Sequence, residues 1–412
     1  MKERLVSVDV FRGITIMLMT IVNNPGDWGN VFPPLLHAKW HGSTPTDMVF
    51  PFFLFIVGVS IVLATKEKGL SQDQFLKILV RTLRIFALGL FLNFFSKIQV
   101  FGLDGYSLLL ARLLITGVVA WLLLSEYDRK RQLYAVAGLL GLMFVLAYTT
   151  ENFSNVRIPG VLQRIAIVYF IVAVLYQKMS LKGLAVLAAV LLLGYWAAMA
   201  LIPVNGVTGN FEADKNVAAM IDRLFLEGHM WASSKTWDPE GIFSTIPAIA
   251  TGILGVFGGL AITGKLGKQR GWEYLVYGGL VLVIVASQWN KVFPINKALW
   301  TSSFVLHAGG LAALTLAIIQ VATEMLGTGA WTKPFVIFGM NPMLVFFFSG
   351  IIPRVLSDIK IGNQGLQAYI YEHVLGVFSN PKVHSLSWAI LYLIFWFLIL
   401  LWFYRKRIII KV

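Results

Sequence analysis

Apolar runs long enough to cross a lipid bilayer recur from the first twenty residues of this chain to Trp402. A transmembrane helix needs roughly 20 mostly apolar residues, and many such runs give a chain more apolar surface than a soluble domain can bury. The 412 residues are 58% hydrophobic and 13% charged, which leaves too little polar sequence to cover a water-soluble fold. The chain is therefore predicted to be a polytopic membrane protein.

We predict an all-α transmembrane helical bundle of about twelve spans, which forms a single domain over residues 1–412. Helices are favoured over a β-barrel because the runs are continuously apolar, whereas barrel strands alternate at every second residue. A GxxxG pattern at Gly255 and Gly259 indicates close helix packing. The approximate cores of the predicted spans are residues 8–22, 48–64, 84–97, 107–124, 133–148, 161–176, 183–201, 243–263, 272–289, 300–321, 335–352 and 388–404.

The positions of the basic residues predict the orientation, because short loops rich in Lys and Arg stay in the cytoplasm. With Lys2 and Arg4 inside, every second loop is basic, and about twenty of the 34 Lys and Arg residues fall on that side. Both termini are therefore predicted to be cytoplasmic. Residues 23–47, 203–242 and 353–387 are the longest connections and are predicted to lie outside. The same clusters account for most of the net charge of +14, so the charge does not indicate nucleic-acid binding.

The first outer loop combines side chains that suit acyl transfer, namely His37, Asn23, Asp47, Trp28 and Trp40. An imidazole can take a proton from an amine or accept an acyl group, and a nearby carboxylate can fix its tautomer. An amide can donate a hydrogen bond to a developing oxyanion, and indoles offer flat apolar faces to sugar rings. The alternative is structural, since Trp is common at membrane interfaces and Asn at helix caps. The residue types alone leave both interpretations open.

A set of short motifs resembles the membrane core of the heparan-alpha-glucosaminide N-acetyltransferase family, including its bacterial NagX-like relatives. The motifs occur in order and span nearly the whole chain, so they are specific as a set although no single one is. They are residues 7–13 (SVDVFRG), 22–23 (VN), 37–42 (HAKWHG), 47–51 (DMVFP), 157–164 (RIPGVLQR), 238–241 (DPEG), 296–300 (NKALW) and 339–342 (GMNP).

This resemblance implies transfer of an acetyl group from cytoplasmic acetyl-CoA to the amine of a glucosamine-type sugar on the other side of the membrane. It makes His37 and Asn23 the catalytic pair, and we add Asp47 as the carboxylate partner. The residues that we expect to bind the acceptor are Trp40, Arg157, Arg164, Asp238 and Glu240. The residues that we expect to bind acetyl-CoA are Arg12, Asn296, Lys297 and Trp300.

Several of these assignments have structural alternatives. Arg12 can pair with Asp9 three residues earlier, and Lys297 can extend its ammonium group to the membrane interface. Asp238, which precedes Pro239, can cap the next helix.

The resemblance covers the membrane core of the mammalian enzyme, and residues 106–150 look like a two-helix insertion relative to that core. We expect a multi-pass protein of the bacterial cytoplasmic membrane whose partners are acetyl-CoA, an amino-sugar acceptor and the lipid bilayer. Neither nucleic acid nor a metal ion is expected, and the absence of cysteine excludes Cys-based metal sites and a thiol nucleophile. The oligomeric state, a homodimer included, is left open. The alternative function is a transporter for amino sugars or other small solutes.

Overall fold

The computed structural model of the chain is a bundle of α-helices with loops that meet at its two ends. The structure describes residues 5–100, 102–126, 128–267, 270–325 and 327–410. Lys2 and Arg4, on which the predicted orientation depends, lie outside the described residues. The cytoplasmic location of both termini therefore stays a prediction of the basic-loop pattern.

The described residues form fifteen α-helices and one short antiparallel hairpin, β1 (Lys360–Ile361) and β2 (Gln364–Gly365). The helices are α1 (Val6–Val22), α2 (Pro45–Ala64), α3 (Gln72–Phe95), α4 (Gly105–Leu124), α5 (Arg129–Thr149), α6 (Val161–Lys178), α7 (Leu181–Leu201), α8 (Val217–Leu226), α9 (Thr245–Ile262), α10 (Gly271–Trp289), α11 (Ser302–Met325), α12 (Lys333–Met340), α13 (Pro342–Asp358), α14 (Leu366–His373) and α15 (Pro381–Arg405).

Each of the predicted spans is helical, and the all-α class is confirmed. Within the described ranges, nine helices are long and apolar enough to cross a membrane, or ten if one bent pair counts as a single span. The chain is thus a multi-pass membrane protein, whereas the count of about twelve spans stays a prediction. The predicted insertion corresponds to α4 and α5, which pack against α3 at the edge of the bundle.

One predicted span, residues 335–352, is not a continuous helix. It is divided into α12 and α13, which meet at Asn341 with a bend of 69°. Pro342 has no N–H group and disfavours helical geometry in the residue before it, so the helix ends there and a new one begins. The Asn341 amide instead pairs with the C-terminal segment, because Nδ2 donates to the Ile408 carbonyl at 3.1 Å and Oδ1 accepts from the Ile410 N–H at 2.7 Å.

Helices α2 and α9 form the centre of the bundle and cross at very short range. A Cβ added to Gly58 would lie 2.1 Å from the Gly252 carbonyl oxygen, and one added to Gly255 would lie 2.0 Å from the Phe55 carbonyl oxygen. At Gly259 the added Cβ would lie 3.0 Å from the backbone of α2. Small residues allow helix backbones to approach in a membrane, where dispersion forces and not the hydrophobic effect join helices. The GxxxG pattern therefore marks a packing contact, as predicted.

The connections predicted to lie outside meet at one end of the bundle, which we call the site end. Backbone hydrogen bonds join them to one another: Gly42 to Ile295 at 2.7 Å, Ile158 to His229 at 3.0 Å and Gly26 to Ser385 at 3.1 Å. The basic connections pair with one another instead, as Lys68 Nζ donates to the Met179 carbonyl at 3.1 Å. This separation agrees with the alternation of loops that the sequence predicts.

The close crossing of α2 and α9 predicts that Gly255→Ala destabilises the bundle. The new methyl group meets backbone atoms of Phe55, which cannot rotate away, so we expect a cost of about 1–3 kcal/mol. Thermal unfolding in detergent measures the effect as a lower midpoint. Gly278→Ala on α10 is the control, because a Cβ there meets no atom within 4 Å. Equal midpoints for the two variants would show that the crossing does not limit stability.

Candidate functional site

An imidazole and a carboxylate form a close pair at the site end. His37 Nδ1 lies 2.7 Å from Oδ1 of Asp47, whose other oxygen accepts backbone N–H groups from Ala38 at 3.0 Å and Thr44 at 2.9 Å. The Asp47 side chain is 2% exposed, whereas that of His37 is 51% exposed. The carboxylate is thus buried and saturated with donors, and the imidazole that it holds faces the exterior.

Local sequence explains why Asp47 is in this place. Thr44 precedes the first turn of α2, Pro45 occupies the first helical position, and Asp47 follows at the third. A carboxylate at the third position reaches back to the N–H of the capping residue, as in a capping box. The same carboxylate therefore begins the helix and holds the loop that carries His37.

The pairing fixes the chemistry of the imidazole ring. Because Nδ1 faces a carboxylate, the neutral ring carries its proton on Nδ1, and the lone pair is on Nε2. An imidazole oriented in this way can act as a general base or as a nucleophile.

Lys297 completes the cluster from the connection between α10 and α11. Its Nζ lies 3.2 Å from His37 Nδ1, 3.4 Å from Nε2 and 3.7 Å from Asp47 Oδ1. Burial lowers the pKa of Lys297, and the negative charges of Asp47 and Glu240 offset this effect only in part. The structure thus places Lys297 beside the imidazole, in the site end.

The four residues expected to bind acetyl-CoA lie in two parts of the bundle, and their contact with acetyl-CoA stays a prediction. Arg12 lies about halfway along α1, where it pairs with Asp9 at 3.2 Å and donates to Ser60 Oγ and the Gly339 carbonyl. Arg12 is eleven positions before Asn23, which is about 16 Å along a helix. Arg12 therefore lies deeper in the bundle than the loop that carries His37, which contacts Lys297.

Asn296 and Trp300 are fully buried and shape the turn around Lys297. The Asn296 Oδ1 accepts the Leu299 N–H at 2.9 Å, and the indole N–H of Trp300 donates to Thr251 Oγ1 at 3.1 Å. Trp300 has a φ of +51°, which is unusual for a bulky residue and is sustained by this packing. Both residues therefore position the turn, and their proposed contact with acetyl-CoA stays a prediction.

Arg157, Asp238 and Glu240 come together as a buried ion cluster. Arg157 Nε donates to Asp238 Oδ2 at 2.8 Å, and its Nη2 contacts both Asp238 and Glu240. Asp238 also accepts the backbone N–H groups of Trp231 at 2.8 Å and of Glu240 at 2.9 Å. Four donors leave Asp238 no lone pair for a sugar hydroxyl, so the geometry favours a role in holding Arg157.

Charge interactions within this cluster shift the pKa values of its members. Burial disfavours the charge of Arg157, yet the carboxylates of Glu240 and Asp238 outweigh burial and raise its pKa. Burial likewise opposes the charge of Glu240, and the positive charges of Arg157, Arg164 and Lys297 lower its pKa. The members of the cluster are therefore ionised. Glu240 interacts electrostatically both with Arg157 and with Lys297, the lysine beside His37.

Arg164, on α6, lies close to the cluster of Arg157, Asp238 and Glu240 and is almost fully buried. Its Nη2 donates to the Gly241 carbonyl at 3.1 Å, and its guanidinium lies 5.1 Å from the centre of the Trp300 ring. Among the described residues, its Nε and Nη1 atoms have no hydrogen-bond partner. The expected role of Arg164 in acceptor binding stays a prediction. Its Nε and Nη1 groups are the donors that could take part in such binding.

Asn23 caps the end of α1 with an exposed side chain. In the part of the chain that the structure describes, no hydrogen bond connects it to His37, although both belong to the same connection. Its catalytic role, which the resemblance implies, stays a prediction.

A run of tryptophans beside the cluster is only partly anticipated by the sequence analysis. Trp40 packs against Trp237 at 5.1 Å between ring centres, and Trp237 packs against Trp231 at 6.0 Å. The Trp40 indole N–H donates to the Phe211 carbonyl at 3.0 Å, and Trp231 is 39% exposed. Two tryptophans within nine residues of Glu240 in an outer connection were the available signal for Trp231 and Trp237.

Comparisons with known proteins agree with the resemblance drawn from the motifs. No family model matches the chain. Curated relatives include human heparan-alpha-glucosaminide N-acetyltransferase, 28% identical over 99% of this chain, and the mouse protein of the same name, 26% identical over 100% of it. The chain spans 60% and 61% of the length of these relatives. The resemblance to this family is therefore confirmed over the full chain.

Asp222 of α8, which the sequence analysis missed, predicts a pH-dependent stability. Its buried carboxylate accepts the N–H groups of Asp238 at 3.1 Å and Ile242 at 3.0 Å, and burial raises its pKa from 3.8 to about 6. Since the folded pKa is the higher one, the stabilisation is complete below pH 3.8 and is lost as the pH rises through about 6. The loss is about 2–3 kcal/mol, because one pKa unit corresponds to about 1.4 kcal/mol.

Thermal unfolding in detergent between pH 4 and pH 7 measures this effect. We expect Asp222→Asn to reduce the decline of the midpoint over that range, because an amide does not ionise. Asp214→Asn is the control, since Asp214 is exposed on the same outer connection. A decline that is the same in wild type and Asp222→Asn would contradict the assignment.

Proposed function

We propose that the protein is a membrane-embedded N-acetyltransferase that moves an acetyl group from acetyl-CoA to the amine of a glucosamine-type sugar. The observation that carries this proposal is the pair of an exposed His37 and a buried Asp47, with Nδ1 and Oδ1 2.7 Å apart. The names of the human and mouse relatives, which are glucosaminide N-acetyltransferases, support the choice of donor group and acceptor.

Two chemical routes use the same imidazole. In the covalent route, Nε2 attacks the thioester carbonyl carbon, the C–S bond breaks, and the sugar amine then takes the acetyl group from the ring. In the direct route, the amine attacks the thioester itself and passes its proton to Nε2. In both routes Asp47 keeps the proton of the neutral ring on Nδ1 and stabilises the imidazolium.

We infer that the donor is cytoplasmic and that the acceptor is on the opposite side of a bacterial cytoplasmic membrane. The support is the basic-loop pattern, which predicts that the connections of the site end lie outside. The thioester must then reach His37 from the other face, between helices of the bundle.

The run Trp40, Trp237 and Trp231 supports a sugar as the acceptor. Indole rings offer large apolar faces together with an N–H donor, which suits the apolar faces and hydroxyl groups of a pyranose. The run begins in the loop that carries His37 and ends at the exposed Trp231, so an acceptor lying along it extends from that loop to the surface.

One observation favours a transporter as the second candidate. Discontinuous helices that free backbone groups for ligands are typical of secondary transporters, and α12 and α13 form such a pair. A transporter moves the sugar without changing it, which separates the two candidates in one assay.

His37→Ala is the first test of the proposed function. The protein is reconstituted in liposomes with labelled acetyl-CoA on one side and glucosamine on the other, and labelled N-acetylglucosamine is measured. We expect the variant to lose at least about 1,000-fold in rate, because it lacks the base or nucleophile.

His373→Ala is the matched control, because His373 is exposed on α14 and stacks only on Tyr369 among the ring contacts described. Its rate should equal that of the wild type. Uptake of unmodified sugar by the wild type, without any acetylated product, would support the transporter instead.

Trp237→Leu tests the acceptor surface. We expect the KM for glucosamine to rise about tenfold and the KM for acetyl-CoA to stay unchanged, because a stacked aromatic contact is worth about 1 kcal/mol or more. Trp289→Leu is the control, since Trp289 forms a similar edge-to-face pair with Trp196, with 5.8 Å between ring centres, and is not part of the run of Trp40, Trp237 and Trp231. Equal changes in the two variants would assign Trp237 to packing alone.

A further inference from the structure

We propose that Lys297 is a catalytic residue whose ammonium group stabilises the negative charge that develops on the acetyl carbonyl oxygen. The inference rests on the proposed function and adds a residue that the sequence analysis assigned to acetyl-CoA binding. Three observations carry it: the position of Nζ relative to the imidazole, its free donors, and the charges that hold it in place.

The position follows from the two ring nitrogens of His37. Asp47 occupies Nδ1, and Lys297 Nζ lies 3.2 Å from Nδ1 and 3.4 Å from Nε2, so the ammonium group lies beside the ring at a similar distance from both nitrogens. The Nε2 lone pair is the one that attacks a carbonyl carbon or takes a proton from the amine. A carbonyl carbon that reacts at Nε2 can place its oxygen about 3 Å from Nζ, the distance at which oxyanion donors act.

The ammonium group has three N–H donors, and its described hydrogen-bond contacts are with the ring of His37, so a donor remains for that oxygen. Its distance of 3.7 Å from Asp47 Oδ1 is longer than a hydrogen bond, so the two groups attract each other without using a donor. The Lys297 side chain is 21% exposed, and a partly desolvated charge acts more strongly than one in water.

Neighbouring charges hold the ammonium in place from several elements. The carboxylates of Asp47, on α2, and of Glu240, before α9, attract it, and Arg164, on α6, repels it. The imidazole of His37 lies against it, and the adjacent Asn296 contacts His41 at 3.4 Å. Burial of an isolated ammonium group is unfavourable, and the two carboxylates offset this cost for Lys297.

The same charge is needed in both chemical routes. When Nε2 or the sugar amine forms its bond to the carbonyl carbon, the electron pair of the C=O bond moves to oxygen. When the pair returns, the C–S bond breaks and CoA leaves as the thiolate. The amine proton goes to solvent in the covalent route and to Nε2 in the direct route. A cation beside the oxygen lowers the barrier to the first of these steps.

Lys297→Met tests the proposal in reconstituted protein with acetyl-CoA and glucosamine. We expect kcat to fall about 100-fold or more, as when one oxyanion donor is removed, and the KM for acetyl-CoA to change by less than about threefold. Lys297→Arg keeps a positive charge and should retain at least about tenfold more activity than Lys297→Met. The control is Lys291→Met, in the same connection, where the exposed Lys291 contacts Gln288 at 2.7 Å; it should match the wild type.

Chemical rescue gives a second measurement that a packing role would not affect. Ethylamine added to Lys297→Ala should restore labelled N-acetylglucosamine formation by about tenfold, because a small ammonium ion can enter the space left by the side chain. It should restore nothing in His37→Ala.

Each other outcome overturns the proposal in a recognisable way. Lys297→Met within threefold of the wild type, or Lys297→Arg as inactive as Lys297→Met with no rescue by ethylamine, rejects the role of Lys297. A higher KM for acetyl-CoA at unchanged kcat would assign Lys297 to donor binding. In these cases an active wild type and an inactive His37→Ala leave the proposed function standing, whereas an inactive wild type rejects both.

Discussion

A carboxylate removed from water is stable only when donors and cations surround it. Asp47 is 2% exposed, and it meets this requirement with the N–H groups of Thr44 and Ala38, the imidazole of His37 and the nearby ammonium of Lys297. Three parts of the chain are thereby joined: the first turn of α2, the loop before it, and the connection before α11. The arrangement of the candidate site therefore depends on the hydrogen bonds and positive charges that stabilise the buried carboxylate of Asp47.

Much of the fold follows from local sequence, because continuous apolar runs and basic loops determine helices and their alternation independently of tertiary contacts. The break at Asn341 is an instructive failure. Asn-Pro was a visible signal for a helix boundary, yet the apolar sequence on both sides favoured one span. The partner that compensates the break is the backbone of Ile408 and Ile410, more than sixty residues later, which no local pattern reveals.

The site divides in the same way. His37 and Asp47 are ten positions apart, so residue types and spacing sufficed to propose their pairing. Lys297 is 260 positions from His37, and only the packing of α2 against its neighbours brings the two together. Trp237 was missed for the same reason, since its contact with Trp40 joins two connections. Asp238 lies in the site end, and its lone pairs are occupied by backbone and Arg157 donors, which no local sequence pattern reveals.

The glycine crossing of α2 and α9 also limits how the two faces of the membrane can communicate. At this crossing a carbonyl oxygen of one helix occupies the space that a side chain would fill on the other. A passage wide enough for the pantetheine arm of CoA can therefore open there only if the two helices separate. The proposed donor must therefore approach His37 along another helix boundary. The boundary between α1 and α12 is closed in the same way, because a Cβ added to Gly13 would lie 1.9 Å from the Phe335 carbonyl oxygen and one added to Gly339 would lie 2.2 Å from the Asp9 carbonyl oxygen. The proposed route of the donor therefore lies outside both glycine crossings.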